Sequence, residues 1–165
     1  MEKLISDFEG AVSQFFPEQC RKDFYLISGK TIDAIIAHVA STSPFFGLFV
    51  AVDAQKIESK KIIELAEALV PKGLAYLCAW GPDCERVHDC FDEILSDANP
   101  ESTDENVVMT TWHEDDSFEE ALWYFVNSAG PAKDYAGTCK DWIVAVVGDE
   151  EWERSARYAM AKMVQ

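Results

Sequence analysis

Residues 48–79, LFVAVDAQKIESKKIIELAEALVPKGLAYLCA, decide the fold, because a helix-like segment separates two short apolar runs there. The runs Leu48–Val52 and Leu74–Ala79 are continuous, as is typical of strands covered on both faces. Between them, Glu58–Leu69 carries apolar residues at helical spacing and is followed by a proline and a glycine that end it. Parallel strands need a crossover of this length, so the stretch predicts a strand–helix–strand unit.

The same order recurs along the rest of the chain. Val107–Thr111 and Trp142–Val147 are two further apolar runs, predicted to be buried strands. Gly81-Pro82 opens a helix with proline near its first position, and Ser117–Glu120 forms a capping box for another. Asp149 can cap a final helix. Strand–helix units at intervals of about thirty residues predict an α/β fold.

The N-terminal part follows this order less clearly. Leu4–Phe15 has the spacing of an amphipathic helix, and Phe24–Ser28 is predicted to be a fifth strand at the edge of the sheet. Apolar residues in Thr31–Ala40 recur along one helical face, which predicts a further helix.

Together these elements predict one α/β domain over residues 1–165, with a helical and edge-strand part over 1–46 and repeated β-α units over 47–165. No linker rich in proline, glycine or serine divides the chain. We expect a three-layer sandwich, Rossmann-like or flavodoxin-like, with helices on both faces of a mainly parallel sheet of four to five strands. The pattern does not encode the order of the strands.

The charge of the chain limits its partners. The formal net charge is −16, from 30 acidic and 14 basic residues. Nucleic acid and anionic membrane surfaces would be repelled, and no apolar stretch is long enough to span a membrane. The acidity is interpreted in three ways: as a source of solubility, as a negative surface for a basic protein partner, or as a carboxylate-rich metal site.

The cysteines indicate a reducing compartment. There are five, an odd number, and no CxxC pair that would indicate a zinc ribbon or a thioredoxin motif. The N-terminal residues are mixed in charge and lack the apolar core of a secretory signal. We therefore expect a cytoplasmic protein with reduced thiols.

Ligands of open α/β sheets bind outside the carboxyl ends of the strands, which selects candidate residues before any chemistry is considered. The set lacks basic side chains, and no glycine-rich phosphate motif occurs, so a nucleotide is not expected and the sequence specifies no cofactor. The candidate ligand-binding residues are Asp53, Trp80, Asp83, Trp112, Asp115 and Asp149.

Cys84 and His88 form a candidate nucleophile and base. Cys84 is placed in the first turn of a helix, where the dipole favours a thiolate, and His88 follows four residues later on the same face. The alternative is an ordinary packed or solvated pair. Neighbouring acidic residues raise a thiol pKa and oppose the helix dipole, which favours that alternative.

A metal site is the second candidate chemistry. Cys84, His88 and His113, with Asp83 or Asp115, offer the nitrogen and sulfur ligands that zinc prefers. Their spacing matches no standard zinc motif. Acidic residues before the capping box are also explained by the helix dipole alone.

Two tryptophans and one long connection suggest contact surfaces. Trp80 and Trp112 each end a predicted strand, where an indole can stack on a ligand, anchor a partner, or simply cover the end of the sheet. The irregular segment Asn127–Lys140 leads into the last strand and is therefore expected at the opposite end of the sheet, as a contact surface.

Three segments carry a resemblance to a known family: YLCAWGPDCERVHDCFD over residues 76–92, VVMTTWHEDDSFEEALWYF over 107–125 and DWIVAVVGDEEW over 141–152. They resemble a small bacterial family that is a domain of unknown function, and the resemblance covers roughly residues 47–153. It implies no activity and assigns no residue a role.

The leading hypothesis is a non-enzymatic interaction or ligand-sensing domain, with an immunity-like protein that neutralises a basic toxin as one version. The alternative is an enzyme, a metal- or cysteine-dependent hydrolase with its site at the strand ends. A homodimer is compatible with the sequence. The hydrolase would draw on Asp53, Asp83, Cys84, His88, His113 and Asp115.

Overall fold

The structure, a computed structural model, describes residues 1–8 and 21–163. Their regular elements are six strands and five α-helices. In chain order these are β1 Glu2–Phe8, β2 Lys22–Gly29, α1 Ile32–His38, β3 Phe45–Ala51, α2 Ser59–Leu69, β4 Leu74–Trp80, α3 Cys84–Ala98, β5 Met109–His113, α4 Phe118–Asn127, β6 Cys139–Val147 and α5 Glu150–Met163.

The six strands form one mixed sheet in the order β1-β2-β6-β3-β4-β5. The five strands from β2 to β5 in this order are parallel, and β1 alone runs antiparallel to its neighbour β2. The predicted α/β class and mainly parallel sheet are confirmed, with one strand more than the sequence predicted. None of the described helices is long and apolar enough to cross a membrane.

The predicted helix over Leu4–Phe15 is wrong for residues 4–8, which belong to β1, and its remainder lies outside the described residues. Pairing with β2 explains the difference, because hydrogen bonds across the sheet outweigh a weak local helical pattern. This pairing also places β2 inside the sheet, so the prediction of an edge strand at Phe24–Ser28 is wrong in its position. The helix predicted over Thr31–Ala40 is confirmed as α1.

The strands β3, β4 and β6 are almost wholly buried, as their continuous apolar runs predict. The strand predicted over Val107–Thr111 begins later, at Met109, and is half exposed instead of buried. It lies at the edge of the sheet, where only β4 pairs with it.

Apolar side chains pack on both faces of the sheet. Alternate residues of β6 point to opposite faces, with Ile143 in one buried cluster and Trp142 in the other. The first cluster includes residues of α1, α2 and α3, and the second includes residues of α4 and α5. The two apolar clusters therefore lie on opposite sides of the sheet.

Asp141 secures the amino end of the sheet. Its carboxylate, almost fully buried, accepts hydrogen bonds from the backbone N–H of Thr42 at 2.7 Å and from the hydroxyl of Ser41 at 3.0 Å. Burial alone would raise the pKa of Asp141, but the hydrogen bonds from Thr42, Ser43 and Ser41 outweigh it and hold the pKa below its usual value. Asp141 thus fixes the loop that leads into β3.

Candidate functional site

A crevice opens at the carboxyl ends of β2, β6 and β3, which we call the strand-end crevice. The helix that follows β2 and the helix that follows β3 both contribute to the first apolar cluster, whereas α5, which follows β6, contributes to the second. The chain thus leaves neighbouring strands toward opposite faces. This is the switch point at which open α/β sheets bind their ligands.

The strand-end crevice has a volume of about 670 Å³, within the usual range for small-molecule sites. Half of its lining is charged and the rest is mostly apolar. The lining residues are Lys30, Thr31, Ile32, Asp33, Val52, Asp53, Lys56, Ile57, Glu58, Lys61, Val147, Gly148, Asp149 and Trp152.

Local hydrogen bonds hold the loops around the crevice in place. The N–H of Gly148 donates to the carbonyl of Gly29 at 2.8 Å, and Gly148 adopts a positive φ of 75°, which glycine tolerates. Asp149 caps α5 by accepting from the N–H of Glu151 at 2.9 Å and of Trp152 at 3.0 Å. Hydrogen bonds within the protein therefore hold these loops in place without the help of a ligand.

Arg86 of α3 fixes the loop on the other side. Its guanidinium donates to the carbonyl oxygens of Ala54 and Ile57 and is held by Asp83, whose carboxylate lies 2.7 Å from Nε. Asp83, a predicted ligand-binding residue, thus contacts Arg86, and Arg86 in turn positions the crevice wall at Ile57. Arg86 belongs to no recognisable motif, so the sequence alone does not mark it as a residue that positions the crevice.

The lysines of the crevice differ in their partners. Lys56 Nζ lies 3.0 Å from the Asp53 carboxylate, and Lys61 lies 3.1 Å from Asp33. Hydrogen bonds with Glu64 and Asp33 raise the pKa of Lys61. Lys30 is exposed at the rim and makes no ion pair with any residue in the described part of the chain. Of the three lysines that line the crevice, Lys30 is thus the one without a carboxylate partner in the described part of the chain.

Of the predicted ligand-binding residues, Asp53 and Asp149 line this crevice. The expectation that the strand ends lack basic residues is wrong, because Lys30, Lys56 and Lys61 lie there as well. Lys30 was missed because it follows β2, which the sequence analysis placed at the edge. The glycine that ends β2 and the glycine after β6 were the available signals.

Trp80 covers the end of the sheet. Its indole stands edge-on to Phe118 and Trp152, with ring centres at 5.0 and 4.9 Å, and its N–H donates to the carbonyl of Asp116 at 2.9 Å. This half-buried position supports Trp152, which lines the crevice. Of the alternatives considered for Trp80, its contacts fit the covering role.

Cys84 lies in the buried cluster instead of on a reactive surface. Burial raises the pKa of its thiol, and a hydrogen bond with the backbone of His113 only partly opposes this. His88 points toward β5, where its Nε2 is 3.1 Å from the hydroxyl of Thr110 and 3.3 Å from the carboxylate of Asp92. Among the described residues, the imidazole of His88 contacts Asp89, Thr110 and Asp92, and none of these polar contacts involves the Cys84 thiol.

His113 lies on the other face of β5. Its Nδ1 is 2.6 Å from the Asp116 carboxylate, and its ring packs on Tyr124 of α4 at 4.7 Å. Because successive residues of a strand face opposite sides, His113 and the Thr110 that contacts His88 are separated by the sheet. Asp115 is exposed nearby. Among residues 1–8 and 21–163, no three potential metal ligands come together.

We expect the thiol of Cys84 to resist alkylation in the native protein, because a buried thiol with a raised pKa is rarely ionised. The measurement is the extent of iodoacetamide labelling of the Cys84 peptide by mass spectrometry at slightly alkaline pH. The control is the same protein in concentrated urea, where labelling should be complete. Labelling of native Cys84 as fast as free glutathione would restore the nucleophile hypothesis.

The segment Asn127–Lys140 lies at the amino ends of the strands, opposite the strand-end crevice. Within it, the ring of Tyr135 packs on Phe45, the first residue of β3, at 4.6 Å, and its hydroxyl donates to the carbonyl of Asn106. Its placement agrees with the sequence analysis, while its role as a contact surface stays a prediction.

The chain matches one protein family, whose function is unknown. Residues 26–163 match the family model of a domain of unknown function, DUF7684. The match extends beyond the range of roughly 47–153 that the resemblance covers, and it includes the second half of β2 and all of α1. No curated protein and no solved structure matches the chain.

Proposed function

This chain belongs to the DUF7684 family, a domain of unknown function, and we propose from its geometry that it is a non-enzymatic, ligand-sensing domain that binds a small molecule in the strand-end crevice. One observation carries the proposal. A crevice of about 670 Å³ lies at the switch point of the sheet with its loops already fixed by hydrogen bonds.

The lining indicates the chemistry of the ligand. Val52, Ile57 and Trp152 offer an apolar surface, while Lys30, which has no ion-pair partner among the described residues, offers a positive charge at the rim. Carboxylates such as Glu58 face the same space and can accept from an amine. A zwitterion with an apolar body satisfies all three, whereas a polyphosphate would meet more carboxylates than lysines.

We expect zwitterions such as L-leucine, L-phenylalanine or the dipeptide Leu-Phe to bind the protein more tightly than phenethylamine or phenylpropionate, which each lack one charge. Lys30→Ala is expected to weaken binding about tenfold or more, because a charge-assisted hydrogen bond is lost. Affinity is measured by calorimetry, and the amide signals of Gly148 and Lys30 report the place of binding by NMR.

The matched control is Lys60→Ala, which removes the same charge from an exposed residue of α2 that does not line the crevice. Its affinity for the zwitterions should equal that of the wild type. If no zwitterion moves the Gly148 signal, or if Lys30→Ala binds as tightly as the wild type, the proposal is wrong.

We extend the proposal to a single, cytoplasmic, three-layer domain of bacterial origin. The two apolar clusters on opposite sides of the sheet support the three layers, and the free thiols of Cys78, Cys84 and Cys90 in the described part of the chain support a reducing compartment. The order β2-β6-β3-β4-β5 differs from both common doubly wound strand orders. The likeness to Rossmann-like or flavodoxin-like proteins is therefore limited to the α/β class and does not extend to the strand order. A metal- or cysteine-dependent hydrolase stays the alternative.

A further inference from the structure

The outer edge of β5 is open in the described part of the chain. β5 ends the strand order, and no strand among residues 1–8 and 21–163 pairs with its outer side. In a parallel pair, every second residue directs its N–H and C=O away from the neighbour. Natural edge strands are usually interrupted by lysine, proline or a bulge, but β5 reads MTTWH and pairs with β4 without a register shift.

Apolar side chains stand on this edge. Trp112 and Met109 are 43% and 39% exposed, so β5 presents a large apolar side chain on each of its two faces. The indole of Trp112 packs on the ring of His88 at 4.4 Å, and His88 is itself held by Thr110 and Asp92. Trp112 is therefore a fixed aromatic surface of the kind that anchors protein partners.

A small cavity adjoins the same edge. It has a volume of about 350 Å³ and lies between the second half of α3, the residues that lead into β5 and the first residues of β3 and β4. Leu95, Val107 and Val108 are among its apolar lining residues, and its one charged lining residue is Asp92, whose carboxylate accepts a hydrogen bond from the hydroxyl of Thr110 at 2.9 Å. The aliphatic stem of a lysine or arginine fits such a lining, with its charge at Asp92.

Charge selects the partner. Residues 87–120, which include most of α3, the loop after it, β5 and the start of α4, contain 12 aspartates and glutamates and no lysine or arginine. A second copy would bring the same charges to the edge, in a chain whose net charge is already −16. A basic segment would instead be attracted.

We propose that the β5 edge surface, formed by Met109, Thr110, Trp112 and the cavity at Asp92, binds an extended basic segment of another protein, which adds to the sheet as a further strand. Backbone hydrogen bonds hold the segment, Trp112 contacts an apolar side chain, and a basic side chain enters the cavity. This site lies along the outer strand of the sheet, whereas the strand-end crevice lies at the carboxyl ends of β2, β6 and β3. The proposal for the β5 edge surface therefore does not depend on the function proposed for the crevice.

The test uses a fluorescein-labelled peptide of alternating lysine and valine as the probe, with binding measured by fluorescence anisotropy. A peptide of equal charge with prolines in place of some valines cannot pair as a strand, and a glutamate–valine peptide has the opposite charge. We expect the lysine–valine peptide to bind about tenfold more tightly than the proline peptide, more weakly in high salt, and with NMR shifts at residues 109–113.

Variants locate the contact. Trp112→Ala is expected to weaken binding of the lysine–valine peptide about tenfold, and Asp92→Asn to reduce its salt dependence. Tyr158→Ala removes an exposed aromatic from α5, which contacts β1 and β2 at the far edge, and should leave binding unchanged. Circular dichroism verifies that each variant is folded.

Four results would overturn the proposal. They are absence of binding by the lysine–valine peptide, equal binding of the proline peptide, unchanged binding by Trp112→Ala, and a dimer of the free protein that dissociates in Trp112→Ala. Equal binding of the proline peptide would mean that charge alone attracts the probe. The dimer, measured by sedimentation, would mean that a second copy occupies the edge.

Discussion

Replacing Trp142 with alanine is expected to lower the free energy of unfolding by about 4 kcal/mol, the largest effect of any single substitution proposed for this protein. Trp142 is fully buried at the centre of the second apolar cluster. Its ring contacts Phe125 at 5.1 Å and Tyr76 at 5.6 Å, between centroids. Alanine would leave a large cavity and remove these aromatic contacts.

Two neighbouring residues are expected to increase the loss of stability in Trp142→Ala. The buried ammonium of Lys22 lies 4.0 Å from the centre of the Trp142 ring and donates to the carbonyl of Ala129, so removing the ring takes away part of its stabilisation. Gly47 of β3 is the register partner of Trp142 in the neighbouring strand β6, and a Cβ on Gly47 would lie 2.5 Å from Cε3 of the ring. The backbone at Gly47 thus offers no side chain to fill the space.

The measurement is urea unfolding followed by circular dichroism, with Trp123→Ala as the control. Trp123 is 54% exposed on α4, so its removal should change the free energy of unfolding by less than about 0.5 kcal/mol. Gly47→Ala should destabilise the wild type much more than it destabilises Trp142→Ala, since the clash is then absent. A loss below about 1 kcal/mol for Trp142→Ala would contradict this packing.

Replacing Asp141 with alanine is expected to lower the free energy of unfolding by about 3 kcal/mol at neutral pH. The N–H groups of Thr42 and Ser43 and the hydroxyl of Ser41 would lose their shared acceptor. Asp141→Asn, which keeps the shape but removes the charge, should cost less, because a neutral acceptor forms weaker hydrogen bonds.

The pH dependence follows from the lowered pKa of Asp141. Its carboxylate contributes stability above the pKa of the unfolded chain, and that contribution is lost as the pH falls through the lower pKa of the folded state. Asp141→Asn lacks this term, so the difference between wild type and variant should shrink on acidification from neutral pH to about 3. Asp115→Asn, at an exposed carboxylate, is the control, and equal pH slopes for wild type and Asp141→Asn would contradict the prediction.

The sequence could predict the centre of the sheet but not its edges. β3, β4 and β6 are covered on both faces, and their continuous apolar runs carry that information locally. The capping box at Ser117 likewise places the start of α4. Whether residues 4–8 form a strand depends on their pairing with β2, which is separated from them in the sequence. The spacing of apolar residues within a short segment contains no information on such a pairing.

The candidate site was predictable in the same limited way. Asp53 and Asp149 follow from the rule that ligands bind at the carboxyl ends of strands. Which strands share a crevice depends on strand order, and β6 enters between β2 and β3 without any signal in the sequence. Cys84 and His88 illustrate the converse, because their helical spacing is real but α3 buries the thiol and turns the imidazole toward β5.

The position of β6 between β2 and β3 also governs how this chain can fold during synthesis. Until residues 139–147 have left the ribosome, the antiparallel pair β1-β2 and the segment β3-β4-β5 have no strand to join them. Any nascent chain that stops earlier exposes two long apolar edges at once, at β2 and at β3. The sheet of this domain is therefore completed only after β6 has been synthesised, and a chain that stops before β6 exposes apolar surface of the kind that chaperones and proteases recognise.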